Sequence, residues 1–284
     1  MEDRYLGIIG RPLGHSLSPA MHSAAIKQLG LHYKFGALEV ADNFLPALIS
    51  SMKKNAFAGF NVTIPHKRHI IPLLDEVSDA ATAVGAVNTI VNKRGLLKGY
   101  NTDIDGLQKT LEPVAKKIKG TAALILGAGG ASRAALYAVA AYASPRIIRV
   151  YNRTPERGKQ VVDEFGKLFP HAVFELVPFG RSLQTAVTDS TLIINTTSVG
   201  MTPDTELSPL PKEIRFSNQQ IIVDIIYTPL ETALLRHARM DGAQTINGVE
   251  MFIQQGAKAF ELWTGKTFPV ELGRRVVMEA LSTR

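Results

Sequence analysis

The first hundred residues alternate short apolar runs with amphipathic stretches: LGIIG at 6–10, AMHSAAIKQLG at 20–30, YKFGALEV at 33–40, FLPALISSM at 44–52 and FAGFNVTI at 57–64. That alternation predicts strand and helix in turn. Ser18-Pro19 reads as a helix start, because a hydroxyl can accept an orphan backbone N–H and a proline at the first helical position gives up no hydrogen bond. Beyond the polar stretch 116–120 the pattern changes. TAALIL at 121–126 runs straight into GAGGAS and an alanine-rich helix, ASRAALYAVAAYA, followed by RIIRVYNRT at 146–154. Further buried strands are expected at HAVFEL, STLIINTT, QQIIVDIIY and GAQTI, a series suited to a parallel sheet covered by helices on both faces. Residues 249–263 have helical period and meet a stop at Gly265. The expected class is α/β, with an N-terminal α/β domain and a second, doubly wound parallel-sheet domain of the Rossmann type.

Composition narrows the picture. With 284 residues, 45% apolar and 20% charged, the chain can bury two ordinary cores. No apolar run reaches the roughly 18 residues a membrane span needs, and the start, MEDRYLGIIGRPLG, does not read as a signal peptide. Cysteine is absent, which excludes disulfides, thiolate metal sites and a thiol nucleophile and fits a reducing cytoplasm. No metal is expected. The formal charge of +7 would draw anions such as a phosphorylated cofactor or a carboxylate substrate. A nucleic-acid role has no recognition motif or aromatic-laced basic stripe behind it, and KKIK at 116–119 reads as a solvated helix end.

In GAGGAS, Gly127 would make the tight strand-to-helix turn and Gly129 would admit a pyrophosphate to the positive end of the following helix; Ala128, Gly130 and Ala131 complete the loop. Ser132 replaces the usual third glycine, so the motif leans on its flanking strand and helix. At the end of the next strand stand Asn152, Arg153 and Thr154, where NAD-binding proteins commonly place an acid against the ribose 2′-hydroxyl. A guanidinium there can clamp a 2′-phosphate, and Arg157 lies one helical step on, so the position reads as an NADP pocket. The bland alternative is an exposed basic loop.

Four segments, GHSLSP at 14–19, NVTIPHK at 61–67, GAVNT at 85–89 and YNTD at 100–103, join GAGGAS, NRTPER, NTTSVGM and GVEMFIQQ at 248–255 in one combination. The chain resembles the shikimate dehydrogenase family over essentially its full length. That resemblance implies NADPH-dependent, reversible reduction of 3-dehydroshikimate to shikimate, on the route to chorismate and the aromatic amino acids. It implies that Lys67 is the acid/base and that Asp103 holds both the lysine and the reacting hydroxyl. Without the family, Lys67 is an ordinary surface lysine and Asp103 a helix N-cap. By the same resemblance Ser16 and Ser18 bind the substrate carboxylate, although Ser18 also reads as the helix cap. Thr63, Asn88, Asp103 and Gln255 take the hydroxyls, with Asn61 and Tyr227 lining the pocket. Ile225, Gly248 and, as the shorter acid at its position, Asp79 fall at cofactor positions. Thr196, Thr197 and Ser198 shape the loop beneath the cofactor or simply end a strand. His15 and His66 match no catalytic position of the family.

The resemblance divides the chain into a substrate-binding domain at 1–102, an NADP domain at 103–248 and a C-terminal helical segment at 249–284 that returns to the first domain. It places the site in the cleft between the domains. The expected partner is a small molecule, with no nucleic acid and no membrane, in a cytoplasmic monomer or homodimer. A quinate/shikimate dehydrogenase of relaxed specificity is the nearest alternative. A non-catalytic sensor of NADP and shikimate is the alternative of another class.

Overall fold

A computed structural model describes residues 3–14, 16–54, 57–178 and 182–283. The chain divides into two compact units, 1–106 with 253–284 and 107–252. The division falls inside two helices, α4 and α10 below, and each unit is described by itself. No helix among the described residues is long and apolar enough to cross a membrane.

Unit 1 is built on six strands, β1 (Arg4–Gly10), β2 (Tyr33–Glu39), β3 (Phe57–Val62), β4 (Glu76–Val77), β5 (Thr89–Lys93) and β6 (Leu96–Tyr100), in the spatial order β2-β1-β3-β5-β6-β4. β1 pairs in parallel with β2 and β3, whereas β5 runs antiparallel to both β3 and β6. The sheet is therefore mixed, and the β5–β6 hairpin departs from the strand-and-helix alternation read from the first hundred residues. Helices α1 (Ser18–Gln28), α2 (Leu45–Lys54) and α3 (Asp79–Val84) connect the strands, and α4 (Asp103–Leu111) leaves the last one. Ile9, Leu45, Ile49, Phe60, Ile70 and Ile90 fill the core on the α2 face.

Unit 2 follows with α5 (Ala115–Ile118), β7 (Ala122–Leu126), α6 (Gly130–Ala138), β8 (Ile147–Tyr151), α7 (Pro155–Leu168), β9 (Val173–Leu176), α8 (Ser182–Thr188), β10 (Leu192–Asn195), β11 (Ile221–Asp224), α9 (Ala233–Met240) and β12 (Gln244–Ile246). The six strands are all parallel, in the order β12-β11-β10-β7-β8-β9. Numbered within the unit this is 3-2-1-4-5-6, the doubly wound order whose direction reverses between the first and fourth strands. β7 and β10 carry unbroken buried runs, AALIL and LIIN, as strands covered on both faces must.

Helices α10 (Val249–Thr264) and α11 (Val270–Ser282) close the chain. α10 ends where the sequence puts its stop: Gly265 takes φ +68° and its N–H returns to the Glu261 carbonyl at 2.8 Å. Within unit 1, α10 docks on the sheet through Trp263, whose indole N–H donates to the Ile90 carbonyl at 2.9 Å. A Cβ on Gly59 would sit 2.3 Å from the same indole nitrogen, so β3 needs glycine at this crossing. The C-terminal segment thus packs on the first sheet, with Phe260 and Trp263 each adding roughly 2–3 kcal/mol of apolar burial.

Candidate active site

β3 delivers Asn61 and ends at Val62, after which the chain turns through Thr63 to Lys67. The Lys67 carbonyl accepts from Val87 N–H at 2.8 Å, and Asn88 N–H donates to the Tyr100 carbonyl at 3.0 Å, so three separate segments are laced together by backbone. On that lacing Lys67 Nζ lies 2.6 Å from Asp103 Oδ2, with the two side chains 16% and 7% exposed. Asn88 Nδ2 donates to Asp103 Oδ1 at 2.9 Å and to Thr102 Oγ1 at 3.0 Å, while its Oδ1 accepts the Thr102 N–H at 2.7 Å. Gln255 Oε1, on α10, lies at 3.5 Å from the same amide nitrogen, which has only two hydrogens for three acceptors and gives them to the nearer pair. Asn61 Nδ2 donates to the Asn88 carbonyl and to Thr89 Oγ1. Asn61, Lys67, Asn88, Asp103 and Gln255 therefore belong to one polar cluster in unit 1.

Two local readings need correction. Asp103 is the first residue of α4, not its cap: the Thr102 carbonyl accepts from Gly106 N–H, which makes Thr102 the flanking residue. The carboxylate still stands at the positive helix end, where a negative charge is favoured. At α1 the flanking residue is Leu17, and the Ser18 hydroxyl makes no capping bond. The Ser16 hydroxyl instead accepts the Ser18 N–H at 3.3 Å. Ser18 is buried, Ser16 half-buried, and Thr63 half-buried beside Gly10. His15 lies outside the described residues. His66 is fully buried, with Nε2 2.7 Å from the Val40 carbonyl oxygen. Asp79 is exposed in the first turn of α3, whose cap is the Ser78 hydroxyl.

In unit 2 the glycine loop leaves β7 at the point where strand order reverses. Gly127 has φ +112°, and a Cβ there would meet Thr196 Oγ1 at 2.7 Å and Thr197 Cγ2 at 3.1 Å. Thr196 anchors the contact by donating from Oγ1 to the Leu126 carbonyl at 2.6 Å, so the threonines after β10 do lie under this loop. Gly129 is the flanking residue of α6, supplies no side-chain cap, and has nothing within 4 Å of where its Cβ would be. An uncapped helix start beside open space is what a pyrophosphate requires, and Gly130 and Ala131 form its first turn. Ser132, in place of the third glycine, is buried and bonds the Gly127 carbonyl at 2.7 Å, so it braces the loop from within. Asn152 Nδ2 donates to the Thr154 carbonyl, and Arg153, just past the end of β8, and Arg157, in the first turn of α7, are both exposed. The residues present fit a dinucleotide with a 2′-phosphate. Ile225 and Gly248 meet closely: a Cβ on Gly248 would fall 2.1 Å from the Ile225 carbonyl oxygen. Tyr227, in the same unit, packs its ring 4.5 Å from that of Phe252.

The sequence reading missed Asp224 and Asn195. Asp224 is buried at the end of β11 and accepts from Asn195 Nδ2 at 3.1 Å, Thr232 Oγ1 at 2.7 Å and Ile226 N–H at 3.1 Å. Burial pushes its carboxyl up to about 6 against the pull of those three donors. Asn195 Oδ1 in turn accepts from Thr197 N–H and Oγ1. The pair ties the ends of β10 and β11 together and holds the two loops that bear Thr196 and Ile225. A lone acid inside the apolar run IIVDII was the available signal.

The family model described as the shikimate dehydrogenase substrate binding domain matches residues 8–90, and the shikimate 5′-dehydrogenase C-terminal domain matches 248–278. A shikimate dehydrogenase (NADP(+)) of Shouchella clausii is 44% identical over 93% of this chain and 94% of its own. The shikimate 5-dehydrogenase of Thermus thermophilus, solved with NADP(H) and shikimate, is 37% identical, covers 98% of this chain and 100% of its own, and superposes with a TM-score of 0.87. The quinate dehydrogenase of Corynebacterium glutamicum, solved with NAD, has a TM-score of 0.88 at 29% identity, over 98% of this chain and 100% of its own. With its two domain models and its near full-length relatives, the chain belongs to the shikimate dehydrogenase family.

Proposed function

We propose that this chain reduces 3-dehydroshikimate to shikimate with NADPH, reversibly, in cytoplasmic aromatic amino-acid biosynthesis. The observation that carries the reading is the Lys67–Asp103 pair, 2.6 Å apart and bordered by Asn88 and Gln255, a cluster able to handle a proton beside several hydroxyls. The cofactor, when bound, supplies the hydride that adds to the substrate's carbonyl carbon. Lys67 donates the proton to the carbonyl oxygen and, before that transfer, its ammonium stabilises the negative charge growing there. Asp103 keeps the lysine in place through Oδ2. Each of its oxygens has a second lone pair with which to accept from a substrate hydroxyl. In the oxidative direction the amine of Lys67 takes the hydroxyl proton as hydride leaves.

Asn61, Asn88 and Gln255 suit vicinal hydroxyls because each amide both donates and accepts, and neutral groups avoid the cost of burying more charge. Thr63 joins them, Ser16 and Ser18 take the substrate carboxylate, and Tyr227 lines the substrate. Gly127 to Ala131 cradle the pyrophosphate, Asn152, Arg153, Thr154 and Arg157 read the ribose phosphate, and Ile225, Gly248 and Asp79 serve the nicotinamide part. Arg153, a guanidinium where an NAD enzyme places an acid, supports NADP over NAD.

The test is the consumption of NADPH with 3-dehydroshikimate, run beside NADH and beside quinate oxidation with each nicotinamide. The reading requires that NADPH with 3-dehydroshikimate give the highest kcat/KM. A higher value for quinate with NAD would make the chain a quinate dehydrogenase. Binding of both ligands without turnover would make it a sensor. Sedimentation of the active species then settles monomer against homodimer.

A further inference from the structure

Three side chains with metal-ligating atoms, none of them part of the Lys67–Asp103 cluster, converge in unit 1. Asp42 opens a short 3-10 turn, Asp42–Phe44, soon after β2. His66 and His69 are three residues apart in the turn that carries Lys67, where Ile70 N–H donates to the His66 carbonyl at 3.0 Å and closes one helical turn. That spacing puts both rings on the same face. One ligand atom from each of the three lies within 4.8 Å of the others. His66 Nδ1 is 2.9 Å and His69 Nδ1 3.7 Å from the same oxygen, Asp42 Oδ1.

The buried ring of His66 is the second, independent observation. Its Nε2 is 2.7 Å from the Val40 carbonyl oxygen, and a carbonyl only accepts, so Nε2 carries the hydrogen. In the neutral ring Nδ1 is then a lone pair, aimed at a carboxylate oxygen and without a hydrogen-bond partner among the described residues. Two acceptors facing each other at that distance repel unless a proton or a metal cation lies between them. A backbone carbonyl that fixes the distal N–H is also how metal-bound histidines are ordinarily oriented. Bonds of about 2.0–2.2 Å from metal to nitrogen and oxygen put neighbouring ligand atoms about 2.9 Å apart at a right angle and about 3.4 Å apart at the tetrahedral angle. The two measured separations lie close to that range. His69, 60% exposed, is free to turn inward to complete the set, and the exposure of Asp42 leaves room for water in the remaining positions.

We propose that Asp42, His66 and His69 form a binding site for one divalent transition-metal ion, with zinc the best fit to two imidazoles and a carboxylate. The ion ties the segment after β2 to the turn that carries Lys67. Magnesium and calcium, which take oxygen ligands, do not bind there.

The test uses the full chain stripped with EDTA and titrated calorimetrically with zinc chloride, alongside His69→Ala and Asp42→Asn; His66 is spared because it is buried. One zinc per chain is expected, bound at least tenfold more weakly by each variant. The wild-type Tm should rise with zinc by at least about 2 °C and not with magnesium, while His69→Ala shows no rise and keeps the wild-type Tm in EDTA. Cobalt, read by its visible absorption, should report the same stoichiometry and the same loss. No zinc binding up to millimolar concentration, binding unchanged in both variants, or an equal response to magnesium would each overturn the proposal. A fall in Tm for Asp42→Asn in EDTA without any zinc response would make the cluster a plain ion pair and overturn it too.

Discussion

Replacing His22 by leucine should stabilise unit 1, and increasingly so in acid. His22 is fully buried in α1, its ring stacked 4.6 Å from Phe35 and flanked by Phe260, Trp263 and Phe268. Neither ring nitrogen has a hydrogen-bond partner among the described residues, which costs about 1–3 kcal/mol per group; the lost stacking would return part of that, leaving a net gain of about 1 kcal/mol at pH 7. Burial pushes the imidazole pKa from 6.5 down to about 3. Between those values the unfolded chain binds the proton and the folded chain does not, so stability is intact above pH 6.5 and is lost as pH falls through the window. The slope approaches 1.4 kcal/mol per unit, which amounts to about 2.7 kcal/mol two units below 6.5. Trp263 is the chain's single tryptophan and edges onto His22, so its fluorescence in urea reports unit 1 alone. Melts at pH 7.5 and 4.5 should show His22→Leu ahead by about 1 kcal/mol at the first and by about 3–4 kcal/mol at the second. Equal midpoints at pH 7.5 together with an unchanged difference at pH 4.5 would refute the reasoning.

Three further outcomes follow from the cofactor unit. Arg153→Ala should raise the KM for NADPH about tenfold or more, the worth of one charge-assisted bond, while barely moving the KM for NADH; equal effects would mean that the guanidinium does not read the phosphate. Gly129→Ala places a methyl in open space on a backbone at φ −89°, so it should leave Tm within a degree or two of wild type and weaken NADPH binding in a fluorescence titration. Gly127→Ala, at φ +112° and against Thr196, should instead lower stability by about 1–3 kcal/mol, read as a shift in the urea midpoint of unit 2.

The doubly wound sheet was legible because the strands of unit 2 are short apolar runs, all but β10 followed by a helix, the alternation that a parallel sheet imposes. The β5–β6 hairpin was not. Its two-residue loop, Arg94-Gly95, takes positive φ at both positions, and arginine in place of asparagine hides that turn from a reading of residue types. α11 was expected only as part of the helical segment 249–284 and not as a helix of its own, since it buries just Gly273 and Val277 and leaves its other residues half-buried or exposed. At the site, the identities of Lys67 and Asp103 came from motif context, because a lone lysine and a helix-start aspartate are common. Their meeting depends on the Val87–Lys67 and Asn88–Tyr100 backbone bonds, which join positions no local pattern connects. The helix starts were misassigned by one residue at both Ser18 and Asp103, a shift set by which carbonyl takes the first hydrogen bond rather than by residue type.

The most direct test of the Lys67–Asp103 chemistry is steady-state kinetics of Lys67→Ala with 3-dehydroshikimate and NADPH, on protein whose urea midpoint matches wild type. Proton delivery and charge stabilisation at the carbonyl oxygen belong to the transition state, so kcat should fall by about 10²–10⁴ while KM for the substrate moves only a few-fold. A kcat within a few-fold of wild type would take the lysine out of the reaction.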